Sequence, residues 1–118
     1  MDEKVIPLTT KRALELCKRS LGSDKSEIET MLNKKLAEAF SIAECAFITR
    51  FDQLSTHKEL VVMCAEGKGL NKSSRMLKRL AKLHGCKTAR MHTKRPALQR
   101  LMREFGWVQS EIIFKMEI

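Results

Sequence analysis

The amino-acid sequence predicts a single domain of the α/β class, in which helices pack on a mixed β-sheet. The 118 residues suffice for one compact domain with its own core and are too few for two. Segments with the two-residue period of strands and the 3.6-residue period of helices follow one another along the chain. A strand–helix–strand unit in the second half predicts two parallel strands in one sheet, joined by a right-handed crossover. We expect about four helices around a sheet of five or six strands.

A short strand and a helix are predicted at the start of the chain. Residues 5–8 form an apolar strand, and Thr9 and Thr10 are candidate N-caps for the helix that follows. Gly22 should end this helix, because glycine readily adopts the positive φ found after a helix end. The apolar residues expected to face the core are Ala13, Leu14, Leu16, Cys17 and Leu21.

A second helix and a β-hairpin come next. Ser26 and Glu29 have the spacing of a capping box, which predicts a helix over residues 26–39. Residues 41–51 alternate apolar and polar side chains, and residues 59–66 form a nearly all-apolar strand. These two segments predict an antiparallel hairpin whose second strand is central in the sheet. The apolar positions of the second helix are Ile28, Met31, Leu32, Leu36 and Ala39.

The carboxyl-terminal half alternates helices and strands. A basic helix is expected over residues 71–84, followed by Gly85 and by a strand at residues 87–92. A further helix begins near Pro96, in the first turn where proline is tolerated, and residues 107–118 close the chain as a strand. The strands on either side of the basic helix should be parallel. The inward face of the basic helix is predicted to be Met76, Leu77, Leu80, Ala81 and Leu83.

Positive charge is concentrated in the second half. Residues 68–104 contain twelve Lys or Arg and one acid, whereas the remaining residues contain eleven cations and thirteen acids. This asymmetry predicts an anionic partner, which would be a phosphate cofactor, nucleic acid or an acidic protein surface. The alternative is a basic surface that serves only solubility. The cations assigned to this basic face are Lys72, Arg75, Lys78, Arg79, Lys82, Lys94 and Arg95.

A glycine-containing loop joins the central strand to the basic helix. Open α/β sheets bind ligands at this place, outside the carboxyl ends of their strands. The glycines lack Cβ atoms, so an anion can approach the main chain and the unpaired N–H groups of the first helical turn. The loop is neither a P-loop nor a dinucleotide fingerprint, and a plain tight turn stays open as the alternative. The predicted phosphate or pyrophosphate site comprises Gly67, Lys68, Gly69, Leu70, Asn71 and Lys72.

From residue 41 onward the sequence resembles the GNAT superfamily of N-acetyltransferases, in particular the small GNAT-like proteins of tailed phages. In that superfamily a central strand leads into an Arg/Gln-x-x-Gly-x-Gly/Ala loop, whose backbone amides hold the pyrophosphate of acetyl-CoA. Residues 66–71, "EGKGLN", match this loop. The resemblance implies the GNAT fold and acetyl-CoA as the cofactor. The residues that match the phage-type pattern are Gly67, Gly69, Leu70, Gly85, Cys86, Arg95, Gly106, Trp107 and Lys115.

The sequence departs from the family pattern at positions that the chemistry uses. Glu66 stands where the superfamily has Arg or Gln, and an acid beside a pyrophosphate is repulsive. Asn71 replaces a small residue, and Met102 occupies the place of a tyrosine that often protonates the leaving thiolate in active members. The chain contains no tyrosine. The first strand of the usual central meander and the last carboxyl-terminal strand are not evident. These departures predict a catalytically degenerate protein.

Few other side chains qualify for catalysis. Glu44 and Glu59 are candidate general bases, since a carboxylate near the central strand could deprotonate an amine through a water. The alternative for each is a solvated charge at a strand edge. The three histidines and four cysteines lack zinc-site spacing, so no metal is expected, and cysteines within apolar segments are expected to be reduced core residues.

Three functions stay open at this stage. The preferred one is a non-catalytic phage protein of the virion or head assembly, which binds a phage structural protein or another acidic protein through its basic face. The others are an acetyl-CoA-dependent N-acetyltransferase and a weak, sequence-independent nucleic-acid binder. No long apolar segment or signal peptide is evident, so no membrane association is expected and the location would be the host cytoplasm or the virion.

Overall fold

The computed structural model describes residues 4–68 and 70–91, together with residues 107, 116 and 117. These residues form a five-stranded mixed sheet with helices on both faces. The elements in chain order are β1 (Val5–Pro7), α1 (Thr10–Leu16), α2 (Lys18–Leu21), a 3-10 turn (Gly22–Asp24), α3 (Lys25–Asn33), β2 (Glu38–Ile42), β3 (Cys45–Gln53), β4 (Lys58–Gly67), α4 (Leu70–Leu83) and β5 (Cys86–Met91).

The sheet has the strand order β1-β2-β3-β4-β5. The first four strands pair antiparallel, and β4 pairs parallel with β5 after the crossover through α4. The predicted α/β class, the hairpin of β3 with β4 and the parallel pair are therefore confirmed. Within the sheet that the described residues form, β1 is an edge strand, where Pro7 is tolerated because proline lacks the N–H that a central strand must donate.

The prediction for the second helix is wrong at both ends. Ser26 lies inside α3 rather than capping it, and the helix ends at Asn33 instead of residue 39. Lys35 adopts a φ of 60°, and the next residue, Leu36, donates its N–H to the carbonyl of Met31 at 2.9 Å. This is a Schellman-type end that uses lysine where glycine is usual, so it carries no sequence signal. Leu36 is consequently 61% exposed instead of inward.

The segment that was predicted as one strand over residues 41–51 belongs to two strands. β2 ends at Ile42 and β3 begins at Cys45, which leaves a two-residue turn of Ala43 and Glu44. Ala43 has a φ of 54°, as the first central residue of a type II′ hairpin turn does. The sequence has no glycine at this turn, so nothing in it marks the boundary between β2 and β3. β2 is therefore the strand of the central meander that was not evident from the sequence.

Two apolar cores lie on opposite faces of the sheet. The first core holds α1, α2 and α3 against the sheet, and the second holds α4. β3 contributes to both, because Ala46 and Ile48 face the first core while Cys45 and Phe47 face the second. The buried members of the second core are Phe40, Ile42, Cys45, Phe47, Leu60, Val62, Leu77 and Ala81.

The helical faces agree with the sequence pattern in most positions. Thr9 caps α1 as predicted, its hydroxyl accepting the N–H of Arg12 at 3.1 Å. The predicted first helix is divided at Cys17, which is nevertheless fully buried. Besides Leu36, two inward assignments are wrong, because Leu16 is 38% exposed and Leu83 is 80% exposed at the end of α4.

The predicted helix after Pro96 and the final strand at residues 107–118 lie outside the described residues, except for isolated positions. Trp107 is described, and it packs against the second core with its Nε1 donating to the Oγ of Ser74 at 3.4 Å. Among the helices of the described part, none is long and apolar enough to cross a membrane.

Candidate cofactor site

The carboxyl end of β4 is held against the turn between β2 and β3. Gly67 has a φ of 131°, and a Cβ at this position would collide with the Glu44 carbonyl oxygen and lie 2.9 Å from the Cα of Cys45. The N–H of Lys68 donates to the same Glu44 carbonyl at 3.2 Å. Gly67 is therefore required because the backbone of Glu44 and Cys45 lies close to its Cα. The sequence analysis had explained the missing Cβ by the approach of an anion instead.

α4 is anchored by its buried face close to this junction. Ser73 is fully buried, and its hydroxyl donates to the carbonyl of Ile42 at 3.1 Å. This bond joins the amino-terminal end of α4 to the end of β2. Because both β4 and α4 contact the same hairpin, the direction in which the first turn of α4 points is fixed by the fold.

The first turn of α4 has the charge pattern of an anion site. It contains no acidic residue, and both Lys68 and Lys72 are exposed beside it. The unpaired N–H groups of a helix start carry partial positive charge, so lysines at this end add to the potential instead of opposing it. A phosphate group would be stabilised by both contributions. Gly69 lies outside the described residues, as do the side chains of Leu70 and Asn71.

A β-bulge decides where Glu66 points. The pairing of β3 with β4 shifts between Ile48 and Thr49, which leaves Met63 as the extra residue of β4. Cys64 therefore faces the first core although Val62 faces the second, and Glu66 shares the face of Cys64. The Oε1 of Glu66 accepts the hydroxyl hydrogen of Ser20 on α2 at 2.8 Å. This carboxylate lies on the face of the sheet opposite α4. It therefore does not point toward a phosphate bound at the start of α4, whereas the sequence had suggested that it would.

The two candidate bases lie far apart. Glu44 is exposed in the turn beside Gly67 and Lys68. Glu59 lies at the other end of β4, roughly 26 Å from Gly67 by strand geometry. Its carboxylate is 13% exposed, its Oε1 is 3.3 Å from the Nε of Arg90, and its Oε2 accepts the hydroxyl of Thr88 at 2.8 Å. Of the two carboxylates, only Glu44 adjoins the predicted phosphate site.

Glu59 belongs to a polar network that the sequence did not reveal. Arg50 donates to Asp52 at 2.9 Å, and Arg90 lies 3.3 Å from the other oxygen of the Asp52 carboxylate. The hydrogen bond from Arg50 lowers the pKa of Asp52, with the charges of Arg50 and Arg90 acting in the same direction. These residues come from three neighbouring strands, so no spacing within one segment could have identified them.

The same network defines the tautomer of His57. Thr88 donates its only hydroxyl hydrogen to Glu59, and its oxygen lies 2.9 Å from the Nε2 of His57. The Nε2 must therefore donate, and the Nδ1 accepts from the hydroxyl of Thr56 at 2.9 Å if the ring is neutral. The network lies at the end of the sheet opposite the Gly67 loop and does not contribute to that site.

The buried cysteines are unreactive in this environment. Burial raises the pKa of the Cys17 thiol to about 12 and the pKa values of Cys45 and Cys64 to about 11. All four cysteines are reduced, and Cys86 is only partly buried. Thiols with such pKa values are poor nucleophiles at neutral pH. In the part of the chain that is described, no group of three or more His, Cys, Asp or Glu side chains could hold a metal ion.

The described part of the predicted basic face lies on α4. Lys72, Arg75, Lys78, Arg79 and Lys82 are all exposed there. Lys94 and Arg95 lie outside the described residues, as does Met102.

Solved structures share this architecture over nearly the whole chain. A GCN5-related N-acetyltransferase from Ralstonia eutropha superimposes with a TM-score of 0.72 at 11% identity, covering 98% of each chain. An acetyltransferase from Trypanosoma brucei superimposes with a TM-score of 0.69 at 12% identity, covering 99% of this chain and 100% of that one. A transcriptional regulator from Bacillus halodurans gives 0.70 at 13% identity, covering 98% of this chain and 99% of that one.

These similarities establish the fold. The mixed sheet and its helices match the GNAT acetyltransferase fold, as the resemblance in the sequence implied. No family model matches the sequence, and no curated protein matches it in a sequence search.

Proposed function

We propose that this protein binds acetyl-CoA at the junction of β4 with α4 and transfers the acetyl group to an amine. The observation that carries the proposal is the start of α4, where Lys68 and Lys72 flank a helix terminus without acids. The junction lies at the carboxyl end of a central strand, and the chain has the fold of acetyltransferases. Acetyl-CoA carries phosphate groups that this positive terminus would stabilise.

Some residues at the junction would bind the cofactor, and another would accept a proton. Lys72 and the first-turn N–H groups would hold phosphate oxygens, while the N–H of Lys68 already binds the Glu44 carbonyl and stays structural. Glu44 is exposed beside the loop and is the carboxylate available to accept the amine proton through a water. When bound, acetyl-CoA would supply an activated acetyl thioester, and holding it beside the amine would support transfer through proximity. The new N–C bond would replace the C–S bond, and coenzyme A would leave as its thiolate and take a proton from water.

Isothermal titration tests this proposal with acetyl-CoA and, separately, with desulfo-CoA. The wild type should bind both with micromolar affinity, and Lys72→Glu should weaken binding roughly tenfold or more by removing a charged contact. A glutamate in the first turn also favours the helix dipole, so the loss could not be attributed to an unfolded α4. Lys82→Glu is the matched control, because it makes the same charge change at the other end of α4. Absence of heat from either ligand at millimolar concentration would contradict the proposal.

A second candidate function is a non-catalytic protein of a phage virion or head assembly that uses the GNAT fold as a scaffold. The observation that favours it is the absence of tyrosine from the chain, with Met102 at the position that the resemblance assigns to the proton donor. The partner would be a phage structural protein or another acidic protein surface. Co-purification with capsid or portal material would support this function, and recovery only as a soluble monomer from infected cells would count against it.

A further inference from the structure

The outward face of α4 carries charge of a single sign. The helix contains five cations and no acid, and all five cations are exposed. The helices on the other face of the sheet provide a comparison, because residues 10–33 also contain five cations but four acids. A solvated surface normally mixes its signs as these helices do. The members of this mixed surface are Lys11, Arg12, Lys18, Arg19 and Lys25 with Glu15, Asp24, Glu27 and Glu29.

Four of the five cations of α4 have no acidic partner among the described residues. These four are Lys72, Arg75, Lys78 and Lys82. On the α1 surface, by contrast, Arg12 pairs with Glu15 at 3.3 Å. The α4 cations therefore form a positive ridge that extends about 15 Å along the helix axis.

We propose that this ridge binds the phosphate backbone of double-stranded DNA without sequence preference. A duplex presents phosphates about every 3.4 Å along each strand, so a ridge of this length faces about four of them. Lysine and arginine side chains that meet only phosphates fix the position of a protein on DNA but carry no sequence information. The proposal does not depend on acetyl-CoA binding, because four of the five cations lie beyond the first turn of α4.

The composition of the face favours a duplex over a protein partner or a single strand. Protein interfaces are centred on aromatic, apolar or arginine anchors that are surrounded by apolar area. The arginines of α4 lie among lysines instead, and its described exposed side chains include one large apolar residue, Leu83, at the helix end. Single-strand binding depends on aromatic side chains that stack on bases, and α4 contains none. Phe51, near the end of α4, is already covered by the ring of His84 at 4.8 Å and by the Nζ of Lys58 at 4.6 Å.

Fluorescence anisotropy with a labelled duplex of about 20 base pairs tests the proposal at several salt concentrations. Release of counterions from about four phosphates predicts a slope of log K against log salt near −3.6, which is roughly a 100-fold loss between 50 and 200 mM. The triple variant Arg75→Gln, Lys78→Gln and Lys82→Gln should reduce the magnitude of this slope by about 2.7. Glutamine is a good helix former, and circular dichroism verifies that α4 remains folded.

The matched control removes three charges from the mixed surface instead. Lys11→Gln, Lys18→Gln and Lys25→Gln should leave the slope within about 0.5 of the wild type, although the net charge changes by the same amount. The proposal fails if both triple variants reduce the slope equally or if the wild-type slope is shallower than about −1. Binding to polyglutamate or to single-stranded DNA that equals or exceeds binding to the duplex would also overturn it.

Discussion

The two faces of the sheet carry helices with similar inner surfaces and different outer surfaces. On one face, α1, α2 and α3 bury Ala13, Leu14, Cys17 and neighbouring apolar residues against the sheet. On the other face, α4 buries Leu77 and Ala81, and it is the helix of the described residues that covers this face. The solvent side of the first group mixes acids with cations, whereas α4 has cations only.

This contrast separates what stabilises the fold from what is available for binding. Both inner surfaces remove apolar area from water and need no specific partner. Mixed charges on the outer surface of α1 to α3 attract one another and suit a solvated surface. On α4 the like charges repel one another at helical spacing, which costs stability unless an anion approaches. The cofactor proposal and the DNA proposal both rest on α4 for this reason.

The largest expected effect concerns the glycines that lead into helices on the two faces. Gly67→Ala should lower the free energy of unfolding by about 4 kcal/mol, because the backbone at φ 131° is strained for alanine and the Cβ meets the Glu44 backbone. Gly22→Ala should cost about 1 to 2 kcal/mol, since its φ of 51° is strained but no atom lies within 4 Å. Urea denaturation measures both. Equal losses of stability in the two variants would show that contact of the Cβ with the Glu44 backbone does not add to the cost at Gly67.

The next effect compares two leucines of α4. Leu77→Ala should cost about 3 kcal/mol, because Leu77 is 1% exposed in the second core. Leu83→Ala should cost less than about 0.5 kcal/mol, because Leu83 is 80% exposed. Thermal and urea unfolding of the two variants would check the difference. A large loss for Leu83→Ala would restore the sequence-based assignment of that residue to the inner face.

The smallest effect concerns a feature found on the α1–α3 face, the Arg50–Asp52–Arg90 cluster. The lowered pKa of Asp52 means that its charged form stabilises the fold at pH above its ordinary value of 3.8, and this contribution disappears as the pH falls through the lowered pKa. Asp52→Asn should therefore cost about 0.5 kcal/mol at pH 7, and this cost should shrink as the pH falls below 3.8. The free energies of unfolding of the variant and the wild type, measured from pH 7 down to pH 2, should approach each other as the pH falls.

Glu29→Gln is the control for this pH series. Glu29 is an exposed carboxylate of α3 and forms no ion pair within the described part of the chain. Glu29→Gln removes a carboxylate without removing an ion pair, so a pH dependence shared by both variants would not come from ion pairing. If the difference between Asp52→Asn and the wild type persisted unchanged at pH 2, ion pairing would not be the source of the stability.

Most of the fold followed from periodicity in the sequence. The alternation before residue 53, the apolar run of β4 and the helical spacing in α4 predicted the hairpin, the crossover and the parallel pair. The errors occurred where backbone geometry carried no residue signal. Lys35 and Ala43 adopt positive φ values without being glycine or asparagine, so the end of α3 and the start of β3 were displaced in the prediction.

The position of the candidate loop between β4 and α4 was predictable, but the contacts around it were not, and its role as a phosphate site stays a prediction. The loop between β4 and α4 was identified because glycine and lysine residues precede a basic helix. The roles of Gly67 and Glu66 depended on neighbours distant in sequence, namely the Glu44 carbonyl and the Ser20 hydroxyl. The network of Glu59 with Arg90 and Thr88 likewise joins separate strands.

The sequence by itself determined the class of fold, the order of its main elements and the sign of charge on α4, because these follow from local periodicity and composition. Only the tertiary structure decided which side chains share a face at the junction. One extra residue at Met63 turns Glu66 away from α4, and one tight turn brings the Glu44 backbone against Gly67. Both are consequences of register between strands, which depends on pairing across the sheet and cannot be read along a single segment.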